Sequence, residues 1–307
     1  PIQHAPREHH EYPGAHYALP ADDAERQRWA LATGRLVIQH NALKKIFENR
    51  ILIAPVTLAP NDRVLDIGTG PGLWVLDLAQ SVDPAVHMVA VDITPRLFPA
   101  SSAENIIFQV ESVTSLPSEW TDTFTLVHQR LLMLALQIPE WLQVVRDIHR
   151  VLRPGGWVQL GESEPWYEGE APDKPCVEKL VSMYRRLIES RNLYVDCARN
   201  MWALLEEVGF VDIHVEQRSV PLGKWAGKDG AFSAINYTGV FRGLKTPILE
   251  AGGYGVVTTE SEYDALVEGA KKEYDEGVGS KREFFIFCAR KPRACAQPND
   301  SDAGNAH

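Results

Sequence analysis

A glycine-rich segment with an acidic residue, Asp66-Ile-Gly-Thr-Gly-Pro-Gly72, is the first feature of this chain that suggests chemistry. Its glycines, Gly68, Gly70 and Gly72, let the backbone approach a ligand that a Cβ would block. Dinucleotide-binding loops space their glycines as GxGxxG and hold a pyrophosphate at a helix N-terminus, and this segment has a different spacing. Asp66 would repel such an anion. The segment therefore favours a nucleotide-like cofactor that carries an ammonium group and a sulfonium cation but no phosphate.

A second acid, Asp92, stands 26 residues after Asp66. It lies at the end of the next apolar run, where a carboxylate accepts hydrogen bonds from both hydroxyls of a ribose. A tight structural turn is the alternative interpretation of the glycines. The glycine loop and the acid together favour a cofactor site.

Short apolar runs separated by helical segments follow from Asn61 onward, which is the pattern of a parallel sheet covered on both faces. The predicted strands are Arg63–Ile67, His87–Asp92, Ile106–Val110, Phe124–His128, Trp157–Gly161, Phe210–Gln217 and Phe284–Ala289. The predicted helices are Leu73–Gln80, Trp141–Leu152 (ended by the turn Arg153-Pro-Gly-Gly156), Val177–Arg191, Arg199–Val208 and one that starts at Thr259. The sequence therefore predicts an α/β fold with a seven-stranded sheet.

The segments outside the sheet predict the domain organisation. Residues 1–60 would form an N-terminal segment and helical lid, and residues 61–164, 198–220 and 283–290 the core. Residues 165–197 and 221–282 would be cap insertions, the second with one helix, and residues 291–307 a disordered tail. Aromatic residues of the insertions predict a large apolar acceptor pocket: Trp166, Tyr167, Trp225, Phe232, Tyr237 and Phe241.

The motif series resembles that of the class I S-adenosylmethionine-dependent methyltransferases, which have a Rossmann-like core. The resemblance rests on Val64–Gly72, Asp92, Leu116-Pro117 and Leu152-Arg-Pro-Gly-Gly-Trp157. Further segments are similar to the fungal secondary-metabolism methyltransferases related to the velvet-complex regulator: Tyr17-Ala-Leu-Pro-Ala-Asp22, Gln39-His40, Leu205-Glu-Glu-Val-Gly-Phe210 and Val220-Pro-Leu-Gly-Lys-Trp225. With them the resemblance extends over most of the chain.

This resemblance implies S-adenosylmethionine as the cofactor. It implies a methionine site at Asp66, Gly68, Thr69, Gly70 and Gly72, a ribose site at Asp92 and Ile93, and an adenine site at Glu111, Ser112 and Val113. Tyr17 and His128 are further cofactor-binding residues that it implies. The family usually has an aspartate for the adenine amino group, and this chain has Ser112 beside Glu111. Which side chain contacts adenine therefore stays open, and the amide of Val113 is an alternative.

Methyl transfer is an in-line displacement, so the alignment of acceptor and methyl group supplies much of the rate. A hydroxyl acceptor must also lose a proton, for which a histidine is the usual base. His128, at the predicted end of the fourth strand, is the first candidate, and anchoring a loop to Arg130 is its structural alternative. His40 and Glu162 are further candidates, although His40 shares a helix face with apolar residues, which is typical of a core histidine.

Composition argues against several other classes of protein. Acidic residues outnumber basic ones 41 to 31 without any basic stripe, so nucleic acid is not an expected partner. No apolar run is long enough for a membrane span. The scattered Cys176, Cys197, Cys288 and Cys295 favour a reducing, cytoplasmic location. The early histidines His4, His9, His10 and His16 lack a fixed ligand geometry, so no metal is predicted.

The sequence as a whole predicts methyl transfer from S-adenosylmethionine to a small, apolar or aromatic secondary metabolite. A cofactor-binding regulatory protein, or a cyclase that does not methylate, is the alternative on the same fold. An NAD-dependent oxidoreductase is disfavoured by the glycine spacing. Whether oxygen, nitrogen or carbon is methylated stays open, as does the oligomeric state.

Overall fold

Seven strands form one mixed sheet in the order β3-β2-β1-β4-β5-β7-β6 in the computed structural model, which describes Ile2 and residues 34–293. The strands are β1 (Arg63–Ile67), β2 (His87–Asp92), β3 (Ile106–Val110), β4 (Phe124–Arg130), β5 (Leu152–Ser163), β6 (Val211–Pro221) and β7 (Lys281–Arg290). The first five strands are parallel, and β7 is antiparallel to both its neighbours. The predicted α/β class with a Rossmann-like, seven-stranded core is confirmed.

Burial follows the position of each strand in the sheet. Every residue of β4 from Phe124 to Gln129 is buried, as expected of a central parallel strand between two helix layers. The edge strand β6 alternates between exposed and half-buried residues along most of its length. β4 runs two residues beyond the predicted end at His128, so Arg130 is the residue at its carboxyl end.

The predicted turn Arg153-Pro-Gly-Gly156 is instead a bulge inside β5. Leu152 pairs with Phe124, and the pairing resumes between Trp157 and Leu126. A Cβ on Gly156 would lie 2.9 Å from the carbonyl oxygen of Arg153, so the backbone folds back on itself too closely for any other residue. The prediction of a separate turn was wrong because a bulge uses the same Pro and Gly residues.

Eight helices are described: α1 (Arg35–Ile46), α2 (Leu73–Ala79), α3 (Ile138–Val151), α4 (Pro175–Ser190), α5 (Cys197–Val208), α6 (Gly227–Gly243), α7 (Lys245–Glu250) and α8 (Glu260–Glu276). The second insertion was predicted to hold one helix, and α6 and α7 show that this was wrong. Gly, Ser, Asn and Thr in α6 hide its helical periodicity and lower its intrinsic propensity. Packing against α1 and α8 stabilises it instead. The predicted start of α8 is confirmed, since the Thr259 hydroxyl accepts a hydrogen bond from the Glu262 amide at 3.1 Å.

The helices α4, α6 and α8 pack together as a cap, and α1 packs against α6. The helical lid predicted within residues 1–60 is described from Arg35 onward, as α1. Tyr17, the four early histidines and Cys295 lie outside the described residues. Within that described part of the chain, no helix combines the length and apolar character that a membrane span requires.

Candidate functional site

A cavity of about 460 Å³ lies at the carboxyl ends of the parallel strands, between the sheet and the cap. This is the edge at which open α/β sheets bind ligands. Its walls bring together eight of the predicted cofactor residues: Gly68, Thr69, Gly70, Asp92, Ile93, Glu111, Ser112 and Val113. Residues of α1, α6 and the segment after β4 form the remaining walls.

The three glycines after β1 have positive φ angles, of +64° at Gly68, +53° at Gly70 and +75° at Gly72. A Cβ on Gly70, which lines the cavity, would meet open space, whereas one on Gly68 would lie 2.8 Å from the Leu132 side chain. One on Gly72 would lie 2.6 Å from the Phe108 ring. Gly70 thus keeps space open for a ligand, while Gly68 and Gly72 permit close packing behind the loop.

Asp66 lies beneath this loop and does not line the cavity. It is buried, and its Oδ2 accepts a hydrogen bond from the Thr69 hydroxyl at 2.6 Å. Its Oδ1 lies 2.7 Å from Nδ1 of His128. The acid of the glycine motif therefore positions Thr69 and His128 beneath the loop.

Asp92 joins the end of β2 to the glycine loop. Its Oδ2 accepts a hydrogen bond from the Gly70 amide at 2.9 Å, and its Oδ1 accepts a long one from the Thr94 amide at 3.4 Å. Burial raises the pKa of Asp92 to about 6, against the opposing effect of these amides. The carboxylate is therefore mostly ionised at neutral pH, and it lines the cavity where a ribose diol would bind.

The segment after β3 lines the next part of the wall. The Ser112 hydroxyl lies 2.8 Å from that of Thr114 and also accepts the Thr114 amide at 3.3 Å, so it is engaged within its own turn. Glu111 is half-buried at the wall, and Val113 is buried. Glu111 and the backbone at Val113 are thus better placed than the Ser112 hydroxyl to contact an adenine.

His128 lies behind the cavity wall. It is 3% exposed, and its ring stacks on Trp74 with centroids 3.7 Å apart and planes 3° apart. Burial lowers its pKa, against the hydrogen bond to Asp66. It faces a small separate cavity of about 30 Å³ and does not line the large one. The structure therefore does not bring His128 to the place where a base would act.

His40, on α1, faces the same small cavity. Its Nε2 lies 2.8 Å from Asp77 Oδ2, and its Nδ1 lies 2.9 Å from Nη2 of Arg130. Burial and the charge of Arg130 lower the pKa of His40 to about 4, so the ring is neutral at neutral pH. Because a guanidinium only donates, Nδ1 accepts from Arg130 and Nε2 donates to Asp77.

Glu162, the third candidate base, is completely buried beside the segment after β4. Its Oε1 accepts a hydrogen bond from the Leu132 amide at 2.7 Å, and burial raises its pKa to about 8. Glu162 is therefore mostly uncharged at neutral pH. It does not line the cavity but holds Leu132 and Met133, which do.

Two of the six aromatic residues predicted for the acceptor pocket, Trp166 and Tyr237, line the cavity on the side of the cap. Trp225 and Phe232 are exposed, and neither they nor Phe241 and Tyr167 line the cavity. Sequence reasoning missed Arg130, Phe284 and the α6 residues Ser233, Asn236 and Val240. The α6 residues recur at helical spacing, a signal that depends on recognising α6 as a helix.

Comparisons with known proteins agree with this geometry. A methyltransferase-domain family matches residues 64–156. The N-methyltransferase sirN of Leptosphaeria maculans is 28% identical over 288 residues, which cover 91% of this chain and 96% of that protein. The secondary metabolism regulator laeA of Aspergillus fumisynnematus is 27% identical over 228 residues, 71% of this chain and 57% of that protein. The YcgJ protein of Bacillus subtilis has a similar fold, with a TM-score of 0.50 at 17% identity over 83% of this chain and 99% of that one.

Proposed function

Since this chain belongs to the class I S-adenosylmethionine-dependent methyltransferases, we propose that it methylates a nitrogen atom of a small, largely apolar molecule. The observation that carries the proposal is the single cavity in which the glycine loop and Asp92 share walls with Trp166 and Tyr237 of the cap. The choice of nitrogen follows the similarity to the N-methyltransferase sirN.

The cofactor end of the cavity fits S-adenosylmethionine. The loop at Gly70 offers open space for the methionine moiety, the Asp92 carboxylate would accept the ribose hydroxyls, and the segment from Glu111 to Val113 would hold the adenine. The bound cofactor supplies an electrophilic methyl group on a sulfonium. What the chain adds is orientation and a site shielded from water.

The acceptor end offers apolar walls and one unsatisfied amide. Trp166, Tyr237 and Phe284 form aromatic surfaces suited to a flat molecule. Asn236 is buried at the wall, and its Oδ1 has no hydrogen-bond partner among the described residues. A buried amide oxygen without a partner is costly, so an N–H group of the acceptor would satisfy it and fix the acceptor's orientation.

A histidine base is not part of this proposal. His128 and His40 both lie behind the wall, and the described residues that line the cavity include no histidine. A neutral amine nitrogen attacks with its lone pair, and the ammonium product gives up its proton to solvent after it leaves the site. Alignment by Asn236 and the aromatic walls is then the main contribution of the chain to the rate.

The test compares acceptors that differ only in the reacting atom. The purified chain is incubated with S-adenosylmethionine and either an aryl amine or the phenol of the same skeleton, and S-adenosylhomocysteine and methylated product are measured by mass spectrometry. We expect product from the amine. Turnover of the phenol alone would refute the assignment to nitrogen. Trp166→Ala should raise KM for the amine and leave the affinity for S-adenosylmethionine unchanged.

A cofactor-binding regulator is a second candidate, which the similarity to laeA favours. It uses the same cofactor residues but predicts tight retention of S-adenosylmethionine with no turnover across amines, amides and phenols. Calorimetry with the cofactor, run beside the turnover assay, separates the two functions. Turnover of any small acceptor would decide for the enzyme.

A further inference from the structure

Arg130 lies at the carboxyl end of β4, beside the glycine loop. β1 and β4 pair Asp66 with His128 and Ile67 with Gln129. Arg130 follows one residue later and pairs with Gly161 of β5. It lines the large cavity together with Gly68 and Gly70, and it also lines the small cavity behind, so it shares a wall with the loop proposed to hold the methionine moiety.

The positive charge of Arg130 has no direct counter-ion. Within residues 34–293 and Ile2, the one hydrogen bond of its guanidinium goes to Nδ1 of His40, a neutral ring. The nearest acids are engaged elsewhere. Asp66 is bonded to Thr69 and His128, and Asp77 accepts from His40 and from Lys44 at 2.7 Å. Burial lowers the pKa of Arg130, but an arginine keeps its proton at neutral pH.

Arg130 is half-buried, so its guanidinium loses part of its hydration without a carboxylate to compensate, and a bound anion would stabilise it. The planar fork of arginine matches a carboxylate with two parallel hydrogen bonds. The bond to His40, which is itself bonded to Asp77, positions one nitrogen, and the other guanidinium nitrogens have no hydrogen-bond partner among the described residues.

We propose that Arg130 binds the α-carboxylate of the methionine moiety of S-adenosylmethionine. This inference rests on the methyltransferase function proposed above but not on the identity of the acceptor. His40 is a positioning residue for Arg130, which explains why a buried, neutral histidine stands between an arginine and an aspartate. A carboxylate carried by the acceptor would offer the same chemistry, and the experiment separates the two sources.

The test measures the binding of S-adenosylmethionine and of decarboxylated S-adenosylmethionine by calorimetry, without any turnover. In the parent protein, loss of the carboxylate should weaken binding about tenfold or more. Arg130→Met should bind both ligands with the same reduced affinity, so that the preference falls to about one. Arg130→Lys, which keeps the charge but loses the fork, should retain part of the preference.

Arg35 provides a matched control, because it is a second arginine at the same cavity, with its stem packed near Gly239. Arg35→Met should keep the parental preference for the carboxylate. Binding of adenosine checks the fold of each variant and should be unchanged in Arg130→Met.

Three results would overturn the inference. The first is an undiminished preference in Arg130→Met, and the second is its loss in Arg35→Met. The third is an Arg130→Met variant with normal cofactor affinity and a raised KM for carboxylate-bearing acceptors only, which would assign the carboxylate to the acceptor. Failure of amine methylation alone would refute the proposed acceptor chemistry and leave the binding preference intact.

Discussion

Replacing Glu162 with glutamine should remove a large pH dependence of stability. The pKa of this buried carboxyl rises from 4.5 to about 8 in the folded protein, chiefly because burial disfavours its charge. Since the folded-state pKa lies above the unfolded one, the stabilisation is fully present below about pH 4.5 and is lost as the pH rises to about 8. One pKa unit corresponds to about 1.4 kcal/mol, so the whole change is about 5 kcal/mol.

The variant Glu162→Gln keeps an oxygen for the Leu132 amide and carries no titrating proton. We expect the free energy of unfolding of the parent, relative to this variant, to fall by about 4 kcal/mol between about pH 5 and pH 8. Chemical denaturation at several pH values measures this difference, in which the contributions of other groups cancel. Glu189→Gln, at an exposed position of α4, should run parallel to the parent. Parallel curves for the parent and Glu162→Gln would refute the reasoning.

Three further predictions concern the cavity wall and the histidine behind it. Gly70→Val should abolish cofactor binding, because the valine side chain would fill the open space and the φ of +53° at this position disfavours a β-branched residue. A folded variant with normal cofactor affinity in calorimetry would show that the loop is only structural. Asp92→Ala should weaken S-adenosylmethionine binding more than about tenfold, and an affinity within about a factor of two of the parent in calorimetry would contradict this. The affinity of the parent should itself fall as the pH drops through about 6, where Asp92 gains a proton. His128→Ala should lower the free energy of unfolding by about 3 kcal/mol, since it leaves Oδ1 of the buried Asp66 without its partner and a gap beside Trp74. The variant should keep every inflection of the pH–rate profile, and an inflection lost in it would support the base hypothesis instead.

The centre of the sheet was predictable because its parallel strands β1, β2 and β4 are buried on both faces and appear as largely apolar runs. β1, β2 and β3 have the predicted bounds. The helices α6 and α7 were not predictable in the same way, because tertiary contacts rather than local propensity stabilise them. The acceptor walls that α6 supplies were therefore missed as well.

The positions of the predicted cofactor loops in the fold could be predicted with the strands, because each loop directly follows the carboxyl end of a strand. The predicted placement of His128 differs from the structure because β4 ends two residues later than expected. With β4 ending at His128, that side chain would stand at the edge of the sheet, but β4 continues to Arg130, which takes the edge position. His128 is left one step inside, under Trp74. Apolar periodicity does not reveal where a strand ends when the last residues of the strand are polar but still paired with a neighbouring strand.

The row of side chains that α6 turns to the cavity, Ser233, Asn236, Tyr237 and Val240, lies on one face of a single helix. The cofactor loops come from a distant part of the sequence and share none of these positions. Under the proposed function, substitutions at these four positions would change which molecule is accepted and leave the predicted S-adenosylmethionine-binding residues unchanged. A combinatorial library restricted to those codons would explore new acceptors at little risk to the donor site.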